Sequence, residues 1–275
     1  MTAENPEAGA AGGRAWPAPP PYPKPRDLLA GQPVLVTAAA GTGIGFAVAR
    51  RCAEEGATLF VSDIHERRLG EAVAKLREIA PGRIESRTCD VTRQSEVDAL
   101  VAAALEASGG GLDVLINNAG LGGTAVVTAM TDDEWHRVVD VSLTSVMRMT
   151  RAVLPHMQAR GRGAIVNNAS VLGWRAQAGQ SHYAAAKAGV MAFTRCAALE
   201  AAPSGVRINA VAPSIAMHAF LAKTTTPELL AELARREAFG RPAEVWEVAN
   251  VMVFLASDLA SYMTGEVLSV SSQHP

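Results

Sequence analysis

Short runs of β-branched and aliphatic residues alternate with longer stretches of helical period along nearly the whole chain, and this alternation limits the possible folds more than any other feature. Val34–Thr37, Thr58–Ser62, Ile84–Cys89, Val114–Ile116, Ala164–Asn167, Arg207–Val211 and Glu266–Val270 read as strands. Between them Ile44–Glu55, His65–Ile79, Gln94–Ala107, Asp132–Ala159, Ser181–Ala201 and Ala243–Leu255 are long enough to be crossover helices. Each such helix has to bury an apolar stripe, so the pattern predicts a doubly wound α/β domain: a parallel sheet of about seven strands with helices on both faces. Runs such as Val34-Leu35-Val36 and Val114-Leu115-Ile116 are apolar at every position, as strands covered on both sides require. Ligands of such sheets bind beyond the carboxyl ends of the strands, where the strand order reverses, so the residues just after each strand are the ones that matter.

Residues 1–27 differ in kind. Prolines from Pro6 to Pro25 alternate with Ala and Gly, which stops helix and strand propagation, and a flexible tail is expected ahead of a single domain over 28–275. The tail has no apolar core of a secretory signal, and Trp16 and Tyr22 are its candidates for docking on the body or on a neighbouring subunit. No run of about 20 apolar residues offers a membrane span. A net charge of -2 carries no footprint for nucleic acid or anionic lipid, which leaves a small molecule as the expected partner. Cys52, Cys89 and Cys196 lack metal-ligand spacing, so no metal site is expected, and an odd number of isolated cysteines fits a reducing, cytoplasmic setting.

After the first strand comes Thr37-Ala-Ala-Ala-Gly41-Thr-Gly43-Ile44-Gly45, leading into a helix. Glycines at a strand-to-helix turn let backbone N–H groups approach a pyrophosphate at the helix N-terminus, where the helix dipole favours negative charge. Such a turn alone also serves as a mere tight turn. Here Asp63 closes the next strand at about the spacing of 20 residues expected for an acid that binds a ribose. A carboxylate there would lie about 4 Å from a 2′-phosphate, a repulsion of roughly 4 kcal/mol at an effective dielectric near 20, which favours NAD over NADP. His65, Arg67 and Arg68 are the counter-argument, since an inward arginine would offset that repulsion and admit NADP.

Further along, Cys89-Asp90-Val91 follows the third strand, Asn117-Asn118-Ala119-Gly120 the fourth and Ser170 the fifth, and Tyr183-Ala-Ala-Ala-Lys187 opens the next helix. Tyr183 and Lys187 stand at i and i+4 and share a helix face, which brings an ammonium near a phenol. A phenol acting as a base near neutral pH must lose roughly 3 units from its reference value near 10, about 4 kcal/mol. One cation about 5 Å away supplies roughly 3 kcal/mol at dielectric 20, so Lys187 together with an oxidised nicotinamide ring would suffice.

Taken in order, these motifs resemble the short-chain dehydrogenase/reductase family from Leu28 to the C-terminus. The resemblance implies a Rossmann fold and an oxidoreductase interconverting a secondary alcohol and a ketone. Tyr183 would be the proton donor and acceptor, Ser170 would orient the substrate oxygen, and Lys187 would hold the nicotinamide ribose. Asp90 with Val91 would meet the adenine, and Thr37, Gly41, Gly43, Ile44, Gly45, Asn117, Ala119, Gly120, Pro213 and Ile215 would complete the dinucleotide site. The chain departs from the family pattern at three places. Ser142 stands where the family often has an Asn in the helix after the fourth strand; it is expected to keep the catalytic relay through its backbone oxygen, while the kink supported by the Asn side chain loses its support. An alanine, Ala38 or Ala39, replaces the first glycine of the turn, with Gly41 expected to take over the strained position. Pro213-Ser214-Ile215 replaces a Pro-Gly, and His218 stands where a Thr often meets the cofactor; it would touch substrate or sit in a lid.

Residues 216–239 are expected to form that lid, with Met217, Phe220 and Leu221 facing a bulky apolar substrate and Leu121 and Trp174 as further wall or as core. Arg175, Lys223 and His182 are candidates for a carboxylate or a coenzyme A phosphate. The stretch Asn-Asn-Ala-Ser-Val-Leu-Gly-Trp-Arg-Ala-Gln and the ending Ser-Val-Ser-Ser-Gln-His-Pro are similar to actinobacterial members of the family in sterol degradation, implying a steroid-ring fragment carried as a coenzyme A thioester. The competing enzyme reading is a 3-oxoacyl-(acyl carrier protein) reductase; the competing non-enzyme reading is an NAD-binding sensor. The family commonly forms homotetramers through the helices bearing Ser142 and Tyr183 and through the C-terminal strand, and the small residues of Tyr183–Ala201 permit close helix contact.

Overall fold

The computed structural model describes residues 16–80, 84–224 and 226–273; residues 1–15 of the expected tail and the side chains of Phe220 and Lys223 in the expected lid lie outside these. In chain order the elements are β1 (Pro33–Val36), α1 (Ile44–Glu54), β2 (Thr58–Asp63), α2 (Glu66–Ile79), β3 (Ile84–Thr88), α3 (Gln94–Ala107), β4 (Val114–Asn117), α4 (Asp132–Val139), α5 (Ser145–Arg160), β5 (Gly163–Asn168), α6 (Ser181–Ala201), β6 (Val206–Pro213), β7 (Ala216–Met217), α7 (Ala219–Thr224), α8 (Pro227–Arg236), β8 (Ala243–Glu244), α9 (Val245–Ala256) and β9 (Val267–Val270). Seven strands form one parallel sheet in the order β3-β2-β1-β4-β5-β6-β9. The order reverses between β1 and β4, which places the ligand crevice above those two strands. A small parallel ladder, Ala216 beside Ala243 and Met217 beside Glu244, closes the base of the lid region.

Alternation along each strand builds two cores. Val34, Val36, Leu59, Val61, Val114, Ile116, Ala164 and Val166 face one side and pack with residues of α1, α2 and α9. Leu35, Phe60, Leu115 and Ile165 face the other and pack with residues of α3, α5 and α6. The register aligns Val34 with Leu59 and Val114, so like faces meet like across the sheet. Burying each such side chain contributes about 1.5–3 kcal/mol.

Two departures from the sequence reading are local. The single helix expected over Asp132–Ala159 is interrupted by one π-helical turn, Asp140–Thr144, with Ser142 at its centre. And the expected flexible stretch is held from Tyr22 onward: the Tyr22 hydroxyl donates to Glu54 at 2.5 Å and its ring meets Trp246 edge-on at 5.4 Å. The Arg51 guanidinium donates to the Pro23 and Lys24 carbonyls, and Glu55, itself paired with Arg51, accepts from Arg26 N and Leu28 N.

The Gly-rich turn also corrects the expectation for its alanines. Gly41 does have a positive φ of 87°, but it does not relieve its neighbour: Ala38 itself sits at φ 51°. Left-handed backbone costs an alanine roughly 1–2 kcal/mol, partly offset against glycine by the greater entropy that glycine loses on folding. Ala38→Gly is therefore expected to raise the melting temperature by about 2 °C, a stabilisation of up to about 1 kcal/mol. A lower melting temperature in a calorimetric scan would contradict this.

Candidate functional site

The crevice is built from the carboxyl ends of β1, β2, β4 and β5 and from the start of α6. Beta-carbons added at Gly41 or Gly43 would meet, beyond their chain neighbours, no atom of the described residues within 4 Å, so the turn is open on its outer side, as a pyrophosphate cradle has to be. At Gly45 the reverse holds: a Cβ there would come within 2.1 Å of the Ala38 carbonyl oxygen and 2.4 Å of Asn118 Nδ2, so only glycine lets α1 start this close to the turn. Ile44 is the first residue of α1, directly beneath the open glycines.

Asp63 ends β2. Its carboxylate accepts from Ala40 N at 3.2 Å and from His65 N at 3.0 Å, which fixes it against the Gly-rich turn. Burial pushes its pKa up, opposed by the Ala40 hydrogen bond and the charge of Arg68. Asp90 is committed locally, accepting from the Thr92 backbone and hydroxyl, and Val91 beside it is buried in the core. Ala119 is buried, while Gly120 faces solvent.

Two residues expected at the cofactor site bond the scaffold through their side chains, which leaves their backbone to face the crevice. Asn117, 2% exposed, donates through Nδ2 to Asn167 Oδ1 at 2.9 Å and to Thr150 Oγ1 at 3.3 Å. Thr37, 1% exposed, accepts through its hydroxyl from Asn118 N and Ala119 N and donates to the Ile116 carbonyl. The residue that reaches the turn is Asn118, which the sequence reading passed over. Its Nδ2 donates to the carbonyls of Thr37 at 3.3 Å and Ala38 at 3.1 Å, and its Oδ1 accepts from Asn168 Nδ2 at 3.0 Å.

That bridge leads to the catalytic candidates. The Asn168 carbonyl accepts from Lys187 Nζ at 2.6 Å. Lys187 is 2% exposed, its Nζ stands 5.6 Å from the centre of the Tyr183 ring, and a Cβ on Gly120 would lie 3.3 Å from it. Burial lowers its pKa to about 8. The Tyr183 phenol, half-buried, is pushed up by desolvation, with a side-chain hydrogen bond to Ser170 working the other way. The downward pull expected from Lys187 is thus not the governing influence in the protein alone: the ammonium lies by the ring, and burial wins. Ser170 Oγ accepts from Leu172 N at 3.2 Å, which leaves its own proton to donate elsewhere.

Ser142 is fully buried, and its hydroxyl donates to the Leu121 carbonyl and accepts from Leu121 N, both at 2.9 Å. The kink is present as the π turn without an asparagine to support it, and the serine hydroxyl clamps the loop after β4 from both sides. Pro213 ends β6, and the Ile215 carbonyl accepts from Ala243 N, pinning the foot of the lid. His218 Nδ1 accepts from Leu221 N at 3.3 Å and so caps α7. His182 is buried, and Arg175, half-buried, donates through Nη1 to Gln273. No group of His, Cys, Asp and Glu among the described residues is arranged to hold a metal.

Comparison with known proteins agrees with this geometry. A family model described as enoyl-(acyl carrier protein) reductase matches residues 38–272. The chain belongs to the short-chain dehydrogenase/reductase family. It is 65% identical over 249 residues, 90% of this chain and 95% of the relative, to the Mycobacterium tuberculosis protein named (5R,7aS)-5-hydroxy-7a-methyl-1-oxo-2,3,5,6,7,7a-hexahydro-1H-indene-carboxyl-CoA reductase. A 3-oxoacyl-(acyl carrier protein) reductase of Thermotoga maritima is 38% identical, covering 88% of this chain and 97% of its own. Among solved structures, a short-chain dehydrogenase from Mycobacterium smegmatis superposes with a TM-score of 0.83 at 57% identity, covering 93% of this chain and 98% of that one. As a member of this family the protein is an oxidoreductase whose fold takes a nicotinamide nucleotide.

Because Asn118 ties the turn while Asn117 ties the core, the two alanine substitutions should separate. Asn118→Ala should weaken dinucleotide binding about tenfold in a fluorescence titration, whereas Asn117→Ala should chiefly lower the melting temperature. A reversed pattern would refute the assignment. For Lys187, the folded state sheds its proton near pH 8 while the unfolded chain holds it to the ordinary lysine value of 10.5. The folded form therefore binds fewer protons across that window, and this group's contribution to stability rises with pH there. With ¹³C-labelled lysine, one resonance absent from Lys187→Arg should titrate near pH 8, well below the surface lysines.

Proposed function

We propose that this chain is an NAD-linked reductase of a bulky, bicyclic ring ketone carried as a coenzyme A thioester, running in reverse as a secondary alcohol dehydrogenase. The observation that carries the chemistry is the pairing of a Ser170-bonded phenol with a buried amine beneath its ring. The likeness in chain length and sequence to the hydroindane carboxyl-CoA reductase supports the substrate class.

The open faces of Gly41 and Gly43, the Asp63 carboxylate and Lys187 Nζ fit a dinucleotide lying over the carboxyl ends of β1 and β4. When bound, the nicotinamide supplies the hydride for the substrate carbon, or accepts it in the reverse direction. Ser170 donates a hydrogen bond to the substrate oxygen and fixes its position. Tyr183, whose burial keeps its proton on at neutral pH, donates that proton to the oxygen as the ketone becomes an alcohol. Lys187 holds the floor of the site through Asn168, and its buried amine, titrating near pH 8, helps return a proton to Tyr183. Asp63, held against the turn, would repel a 2′-phosphate and favours NAD, with Arg68 as the moderating charge.

Two further readings accompany this one. A homotetramer through α5 and α6 is supported by the small residues of α6 and by the exposed Leu199 on it, and a cytoplasmic setting by three cysteines that all remain free. Among the described residues no helix is long and apolar enough to cross a membrane.

The test is a turnover assay at the absorbance band of the reduced cofactor, with NADH and NADPH against a hydroindanone carboxyl-CoA and a linear 3-oxoacyl thioester. Preference for NADH and for the bicyclic thioester is expected, and Tyr183→Phe should lower kcat at least a hundredfold with dinucleotide affinity retained. Preference for NADPH and the linear thioester would favour the acyl carrier protein reductase; dinucleotide binding without any turnover would favour a sensor.

A further inference from the structure

The segment after β9 is joined to two distant parts of the chain through one buried carboxylate. Glu237, just past α8 and 4% exposed, accepts through Oε2 from Ser272 N at 3.1 Å and Ser272 Oγ at 2.8 Å, and through Oε1 from Gln273 Nε2 at 2.7 Å. Gln273 Oε1 in turn accepts from Arg175 Nη1 at 2.5 Å. Arg175 follows the half-exposed Trp174 and stands one short helical turn, Val171–Gly173, beyond Ser170. Ala238 N also reaches the Ser272 carbonyl, at 3.4 Å. The end of the lid, the C-terminal segment and the loop carrying the catalytic serine are thus one connected unit.

We propose that Glu237, Gln273 and Arg175 form a polarity-matched latch that holds the lid against the Ser170 loop and sets the affinity for substrate. This rests on the reading of the crevice as a substrate site, and Glu237 acts in it as a positioning residue. The chain of bonds has a direction. A guanidinium only donates and a carboxylate only accepts, so the group between them must accept on one side and donate on the other, which an amide side chain does. The foot of the lid is already fixed by the Ile215–Ala243 backbone bond. The latch fixes its other end, so Met217 and Leu221, which lie between, meet the substrate from a held position. Breaking the latch should loosen the mouth while leaving the Gly-rich turn, on the other side of the sheet's switch point, untouched.

The direction of the bonds supplies the test. Glu237→Gln faces the Gln273 amide with a second donor, and Gln273→Glu faces Glu237 with a second carboxylate; each single change spoils the chain. Made together, they place an acceptor-only group beside Arg175 and an amide beside Ser272, and every bond is again matched. Each single variant should raise KM for the bicyclic thioester about tenfold, with kcat within about threefold and dinucleotide affinity unchanged. Amide exchange over residues 216–239 should quicken in both singles, and in the double variant KM and exchange should return toward the parent. Parental KM and exchange in the singles, losses that add in the double, or an equal loss of dinucleotide affinity would each overturn the latch. Should the bicyclic thioester fail as a substrate, the exchange measurement still decides on the latch by itself.

Discussion

The site depends on one cross-link between strand ends: Asn118 at the end of β4 holds the carbonyls of Thr37 and Ala38 on one side and Asn168 on the other, and the Asn168 carbonyl holds Lys187. The open crevice of a doubly wound sheet exists because neighbouring strands send their helices to opposite faces there. Backbone at that point loses its sheet partners, and without other partners its polar groups would be left in a gap. The Asn118 amide fills that role for the Thr37 and Ala38 carbonyls, and the Lys187 amine for the Asn168 carbonyl. The Gly-rich turn and the Tyr183–Lys187 pair are thereby held to a common frame, so a displacement of either is felt by the other.

Burial governs the chemistry of that frame. Lys187 is buried with its amine on the Asn168 carbonyl and, among the described residues, no carboxylate paired with it, so its amine is easier to neutralise than a surface lysine. Tyr183 is pushed the opposite way by the same cause, which suits a proton donor in ketone reduction. The loop after β4 is steadied separately, by the Ser142 hydroxyl pairing with both backbone groups of Leu121, so a short side chain inside a π turn does work for which an amide would be the more familiar choice.

Much of this was legible in the sequence, and the parts that were not have identifiable reasons. The seven strands and their helices follow from period, and the shared face of Tyr183 and Lys187 from spacing, which are local properties; Ser170 is marked by resemblance to the family's motif order. Which of Asn117 and Asn118 meets the turn is not local: consecutive residues at a strand end face opposite sides of the sheet, and choosing between them needs the register. The π turn leaves no mark because one added residue hardly disturbs a helical pattern. The docking of Tyr22 depends on Glu54 and Trp246, and the Glu237 cluster on three segments far apart in the chain, so no window of sequence contains either.

Ala38 carries a last implication. An alanine kept left-handed, with its carbonyl bonded to the Asn118 amide and that amide tied to Asn168, means that the loop takes its shape from bonds within the chain. Little ordering then remains to oppose association, and the conformational entropy has been given up during folding rather than at the encounter. Such a receptor behaves as a rigid mould, and its heat of association reports contacts formed and water released rather than a loop falling into place.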